Sequence, residues 1–307
     1  MKKYIFATLG FFMCFAAFPQ DILETEPVDM NNVYKKTHHL KREIVPLAPI
    51  READVMWSRK IWRDIDLRQK INHPLYYPQE RVKDGLETVD RDNLFKVLYD
   101  AATGANGEVS IRAFANADKD DEFKTPMTSA ELIKTMRGTQ ELVALLNFEY
   151  DGDSLDINGD VVYADLDKYV GGINPKNIKK WRIKEQWFFD KQRSVMDVRI
   201  LALCPIANTK NEGTGLLTET TMICWFYFPE CRNVLRNAQA FNLVKNEAEN
   251  KTFEDIFMKR MFSSTIVKEG NVYDRNINEY MVGLDALLAA EQIKTEFFNI
   301  EHDLWEY

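Results

Sequence analysis

Residues 182–228 hold three stretches that read as neighbouring β-strands, and they restrict the fold more than any other part of the chain. In residues 194–204, Val195, Asp197, Arg199, Leu201 and Leu203 alternate with Met196, Val198, Ile200, Ala202 and Cys204, so one side is nearly all apolar. Residues 182–190 precede it across the short turn Asp-Lys-Gln-Arg, which predicts an antiparallel hairpin. Alternation there sets Ile183, Trp187 and Phe189 on one side and Lys184 and Gln186 on the other. Residues 220–228 are almost continuously apolar, as suits a central strand covered on both faces.

Helical signals flank these strands. Residues 91–102 place Leu94, Val97, Leu98 and Ala101 inward, with Gly104 as the stop. Thr128 and Glu131 form a capping box that opens a helix to Met136, and Thr252 with Asp255 repeats the device for residues 252–262. Further helices are expected over 230–240 and 277–303, and short strands over 108–113 and 161–166. The pattern predicts an α+β fold: an antiparallel sheet flanked by helices, with an extended N-terminal arm and a helical C-terminal part. The expected organisation is a signal peptide at 1–20, an arm at 21–50 and a single α+β domain at 51–307, with a sub-boundary near 170–180 as an option.

Lys2 and Lys3 precede an apolar run from Tyr4 to Phe18, broken only by Thr8 and Gly10. That is the pattern of a secretory signal, and the run is too short for a stable membrane span. Cleavage is expected after Gln20, with Ala17 as the alternative; Phe12 and Met13 are too bulky for Cys14 to head a lipobox. Losing residues 1–20 removes two lysines and no acids, so the net charge moves from −8 to −10. An acidic chain without a basic tract is a poor nucleic-acid binder. Three cysteines remain, Cys204, Cys224 and Cys231, at spacings that suit neither CxxC chemistry nor zinc, and small buried side chains are the expected role. The arm carries Pro27, Pro46 and Pro49 and little periodicity, as an extended, docking segment would.

Residues 51–78, "READVMWSRKIWRDIDLRQKINHPLYYP", place two tryptophans among many charges. Trp57, Ile61, Ile65 and Arg68 fall on one helical stripe, with Met56, Trp62 and Ile71 beside it, which predicts an amphipathic helix over 53–71. Pro74 is expected to end that helix and Pro78 to keep Tyr77 extended. Trp57, Trp62, Tyr76 and Tyr77 are candidate partner-interface anchors, because large aromatic side chains dominate many interfaces. An amphipathic stripe also packs on its own core, so both roles are open to the tryptophans.

Catalytic constellations are missing from the sequence. His38 and His39 lie in the arm, His73 precedes a proline and His302 is near the C-terminus, and none belongs to HExxH. GxSxG, Walker and GxGxxG motifs are absent. The acidic stretch from Asp151 to Asp167 invites calcium, yet every starting register puts an apolar or otherwise unsuitable residue at a required position. Adjacent Glu254 and Asp255, and Asp64 with Asp66, do not face one another on a helix, so they read as a capping feature and a solvated face. No catalytic residue, cofactor or metal is therefore expected. The competing classes are an exported hydrolase and a calcium-dependent ligand-binding module.

Several long blocks in fixed order carry a resemblance: residues 51–78, "KEQWFFDKQRSVMDVRILALCP", "WFYFPECRNVL", "TFEDIFMKRMFSSTIVKEGNVYDRNI" and the terminal "EHDLWEY". Together they resemble the gliding-motility protein N family, also called GldN or PorN, of the Bacteroidota type IX secretion system. The resemblance implies a non-enzymatic component of the protein secretion and gliding motility machinery. It further implies a periplasmic ring assembled with lipoprotein K at the inner face of the outer membrane, self-association within that ring, and contact with the periplasmic region of motor protein M.

Overall fold

A computed structural model describes residues 43–79, 91–137, 173–208, 220–241 and 251–303 apart from a few single positions, with the backbone of short ladders between them. The chain divides into Met1–Arg42 and Glu43–Tyr307, and the described residues belong to the second unit. The expected export signal and the first part of the arm with His38 and His39 lie outside the described residues, as do the side chains of the acidic stretch from Asp151 to Asp167.

The main elements in chain order are β1 (Val55–Asp66), α1 (His73–Tyr76), α2 (Leu94–Thr103), β2 (Ala113–Phe114), β3 (Pro126–Met127) and α3 (Ser129–Arg137). They continue with β4 (Ile178–Asp190), β5 (Val195–Lys210), β6 (Leu217–Met222), β7 (Trp225–Tyr227) and α4 (Phe228–Asn237). The last are α5 (Phe253–Met258), β8 (Thr265–Glu269), α6 (Ile277–Tyr280) and α7 (Leu284–Asp303). Eight strands form one antiparallel sheet in the order β8-β1-β4-β5-β7-β2-β3, with β6 also paired to β5. The α+β class, the flanking helices and the helical C-terminal part are as the sequence predicts.

The helix expected over 53–71 is instead strand β1, paired along its length from Val55↔Asp190 to Asp66↔Lys180. The reason lies in the spacing: Trp57, Ile61 and Ile65 are four apart, and a four-residue step returns to the same face of a strand as well as of a helix. Ladder pairing on β4 decides the matter. Pro74 does not end a helix but sits in the first turn of α1, where its missing N–H costs nothing, and Tyr77 is extended as expected.

A β-bulge displaces the expected alternation in β5. Ile183 faces Leu203 and Glu185 faces Ile200, so Leu201 is the extra residue and Ile200 and Leu203 share one face. The third stretch, expected as a single strand over 220–228, is broken at Ile223 and Cys224 into β6 and β7. Opposite the break stands Pro205, which has no N–H to give the ladder but accepts from Ile223 through its carbonyl at 3.1 Å.

One face of the sheet is covered by helices at both ends. At the first end Ile65, Trp181, Ile183, Leu203 and Phe226 pack under α2, α3, α4 and α5. Complete burial of a side chain the size of Trp181 or Phe257 contributes about 2–3 kcal/mol each. At the second end Ile61 and Ile266 pack against Ala286, Ala290, Ile293 and Phe297 of α7. Between the two lies a polar seam: the Glu185 carboxylate, fully buried, accepts from Arg260 at 2.8 and 3.2 Å and from Trp187 Nε1 at 3.2 Å. The opposite face carries a smaller cluster of Trp62, Phe114, Ala117, Cys204 and Trp225. Capping follows the sequence closely: Asn93 accepts from the Lys96 N–H, Gly104 is left-handed at φ 75°, and both capping boxes are formed.

Candidate interaction surface

The four aromatic residues singled out from sequence go to three places. Trp57 points from β1 towards the C-terminal helix, half-buried, with its ring edge-on to Phe297 at 5.6 Å. Arg59 lies 5.6 Å over the Trp57 ring and 5.5 Å over Phe297, and its guanidinium reaches Glu269 at 3.2 Å and Glu296 at 3.1 Å. Trp187 stacks on Phe297 at 5.4 Å. These contacts make Trp57 a clamp for α7, adding cation–π and stacking terms to plain burial.

Trp62 is five residues on and therefore faces the other way, only 5 % exposed. Lys268 lies 4.5 Å and Lys184 5.2 Å from its ring centre, so the indole sits between two ammonium groups. Lys184, expected on a solvated side of its strand, is buried under Trp62 and Phe123. The sheet thus separates the two tryptophans, and they do not form one patch.

Tyr76 and Tyr77 do come together, edge-on at 5.0 Å on α1 and its exit. Tyr76 is half-buried and covered by Lys179, whose ammonium sits 4.7 Å from the ring centre. Tyr77 is 40 % exposed, beside His73 at 5.4 Å and the exposed Phe241 at 6.3 Å, and a cis peptide bond leads from it to Pro78. The local frame is held by Asn72, which is fully buried: its amide donates to the carbonyls of Asp66 and Ser263 and accepts from the Ser263 N–H, all within 2.9 Å.

The part of the arm that is described, from Glu43, lies on this domain. Arg232 Nη2 donates to the Val45 carbonyl at 2.7 Å and Arg199 Nη2 to the Ala48 carbonyl at 3.0 Å. Arg232 and Arg236 also hold Glu254, at 2.7 and 3.1 Å. Glu254 is therefore a buried ion-pair partner, while its neighbour Asp255 is the helix cap expected from sequence. Asp64, expected on a solvated face, pairs across strands with Arg182 at 2.7 Å, and Asp66 is held by Arg68, whose hydrogen bonds keep its carboxyl below the usual range.

Sequence reasoning missed the outer surface of α7. Ala286, Ala289, Ala290, Ile293 and Phe297 face the sheet, while Leu284, Leu287, Leu288 and Phe298 stand in solvent on the far side, Leu284 at 70 % and Phe298 at 65 % exposure. The loop before α6 presents Val272, 98 % exposed, and Tyr273. The available signal was confined to the first two turns of α7, where Leu284, Leu287 and Leu288 lie beyond the stripe of Ala286, Ala289 and Ala290 that faces the sheet.

Among the described residues no group of three His, Cys, Asp or Glu side chains is placed to hold a metal ion. Cys204, Cys224 and Cys231 are buried, and burial pushes the Cys224 and Cys231 thiols well above the ordinary value, the reverse of what a nucleophile requires. His73 packs on Tyr77, and His302 lies near Phe298 on exposed helix. No helix among the described residues is long and apolar enough to cross a membrane.

No curated protein matches the chain. A family model described as Gliding motility associated protein GldN matches residues 50–306, from the foot of the arm through nearly everything described beyond it. The chain belongs to this gliding motility associated GldN family.

Proposed function

We propose that the protein is an exported structural subunit of the type IX secretion and gliding machinery. It works by surface contact in the periplasm, assembling with lipoprotein K and further copies of itself into a ring and touching the periplasmic region of motor protein M. The observation that carries this reading is the family match over residues 50–306, which takes in the whole sheet and both helical layers rather than one motif. Two features support it: the leader pattern with Lys2 and Lys3, and a domain surface that carries exposed aromatic and aliphatic side chains such as Tyr77, Phe241, Leu284 and Phe298.

A ring subunit needs two different faces, one for each neighbour, because head-to-tail repetition is heterologous. Candidate faces stand at opposite places on the domain: the Tyr77 and Phe241 pair at the exit of α1, and the outer side of α7. The arm supplies a third contact, and extended segments lose comparatively little freedom on docking. Deleting the gene in a gliding host should abolish both surface spreading and export of cargo, with both restored by the full chain. Normal spreading and export in the deletion strain would overturn the proposal.

A further inference from the structure

Arg63 lies on β1 between two core residues of the same face, Ile61 and Ile65, where an apolar side chain would ordinarily stand. It is half-buried, and its guanidinium has one hydrogen bond, from Nε to Ser264 Oγ at 2.9 Å. It forms no ion pair among the described residues. The nearby buried carboxylate, Glu185, is already held by both terminal nitrogens of Arg260 and by Trp187. Burial, the larger cause, pushes the Arg63 guanidinium down from the usual arginine value and Arg260 adds to this, while Glu185 and the rim carboxylate Glu291 pull the other way without bonding to it. Charged arginines withdrawn from water in this way are normally matched by a carboxylate.

The side chain lines a cleft of about 250 Å³ between β8 and α7. Ile266, Leu287 and Ala290 supply its apolar walls, and Ser264 stands at its polar end. Glu291 and Lys294 form its rim and pair with each other at 3.4 Å, so the rim is close to neutral while Arg63 stays positive. The volume falls below the range of about 300–1,000 Å³ typical of small-molecule sites and matches one or two inserted side chains. Immediately outside, Leu284 and Leu288 carry the apolar surface onward along α7.

We propose that this cleft is a docking site for an acidic amphipathic segment of a partner protein, which inserts one Asp or Glu carboxylate to Arg63 and lays apolar side chains on the outer face of α7. Charge complementarity fixes the occupant: a guanidinium offers a planar pair of donors that a carboxylate accepts bidentately, and apolar walls admit only the stem of the acidic side chain. Leucine-like neighbours on the incoming segment would cover a stripe that otherwise remains in water. This assignment rests on the reading of the chain as an assembly subunit and names the chemistry of one of its faces.

The test uses the full chain in its host with the photocrosslinker p-benzoylphenylalanine at Leu287, the crosslinked peptide being identified by mass spectrometry. The expected peptide carries an Asp or Glu with apolar residues three or four positions away. Arg63→Gln, with an unchanged melting temperature, should lower the crosslink yield by at least about tenfold, as expected for one lost charge-assisted bidentate contact. Neutralising the acid on the partner should do the same, and Arg63→Glu combined with an arginine at that partner position should restore the yield. Should Arg63→Gln not fold, Leu284→Glu, fully on the outer face, should still cut the yield. A crosslinked peptide without an acid, a yield indifferent to these substitutions, or no crosslinked protein at all would overturn the proposal. Acid-dependent crosslinks to a protein outside the gliding and secretion machinery would keep the site and overturn the proposed function instead.

Discussion

Trp62 and Tyr77 show how differently one residue class is used. Trp62 sits in a packed cluster between Lys184 and Lys268, whereas Tyr77 keeps much of its ring in solvent. Trp62→Ala should therefore destabilise the domain by about 3–5 kcal/mol, the cost usual for deleting a buried aromatic. Tyr77→Ala should change stability by less than about 1 kcal/mol and act, if at all, on assembly. Denaturant midpoints of the two variants at constant m-value check the contrast; equal losses would contradict it. Sequence alone made both residues aromatic candidates, because which side of a sheet a tryptophan faces depends on strand register that no local spacing records.

At the scale of elements, legibility depended on how local the deciding interactions are. Helix caps were readable, since Thr128, Glu131, Thr252, Asp255 and Gly104 act within four residues of themselves. The β4–β5 hairpin was readable for the same reason, its turn and alternation being contiguous. Strand β1 was not, because its spacing of four suits two periods and the arbiter is β4, more than a hundred residues away. Strand β8, short and bounded by helices, was missed outright, though Thr265, Ile266 and Val267 are a β-branched run. Thr252→Ala should cost about 1 kcal/mol by removing the hydroxyl that accepts from the Asp255 N–H and donates to the Asp255 carboxylate, measurable as a fall in thermal midpoint. The joint between β2 and α4 adds a pH signature. The Arg112 guanidinium bound to Glu230 holds that carboxyl below its ordinary value. A lowered folded value means stability that is complete above the unfolded carboxylate range and lost as pH falls through the folded value. Acid titration of stability should accordingly show a weaker decline for Glu230→Gln than for the parent chain, and identical profiles would contradict the link.

On the scale of the whole molecule, a single antiparallel sheet carries two helical caps on one face, and the surplus apolar surface is concentrated where α7 meets solvent. The foot of the arm belongs to this domain through Arg199 and Arg232, so a truncation that spares those two contacts ends at residue 42. Neither feature speaks of gliding or secretion by itself; the family match over residues 50–306 is to a gliding motility associated family, and the secretion reading is the proposal built on the resemblance. What links them physically is that apolar side chains left in water on α7 and beside Tyr77 are the surface a partner would cover.

In-cell crosslinking of the full chain followed by identification of every attached protein tests that claim most directly. The account predicts lipoprotein K, further copies of the chain and motor protein M, with the K crosslinks lost and the thermal midpoint kept when residues 21–42 are deleted. Crosslinks that include neither K nor M would contradict it.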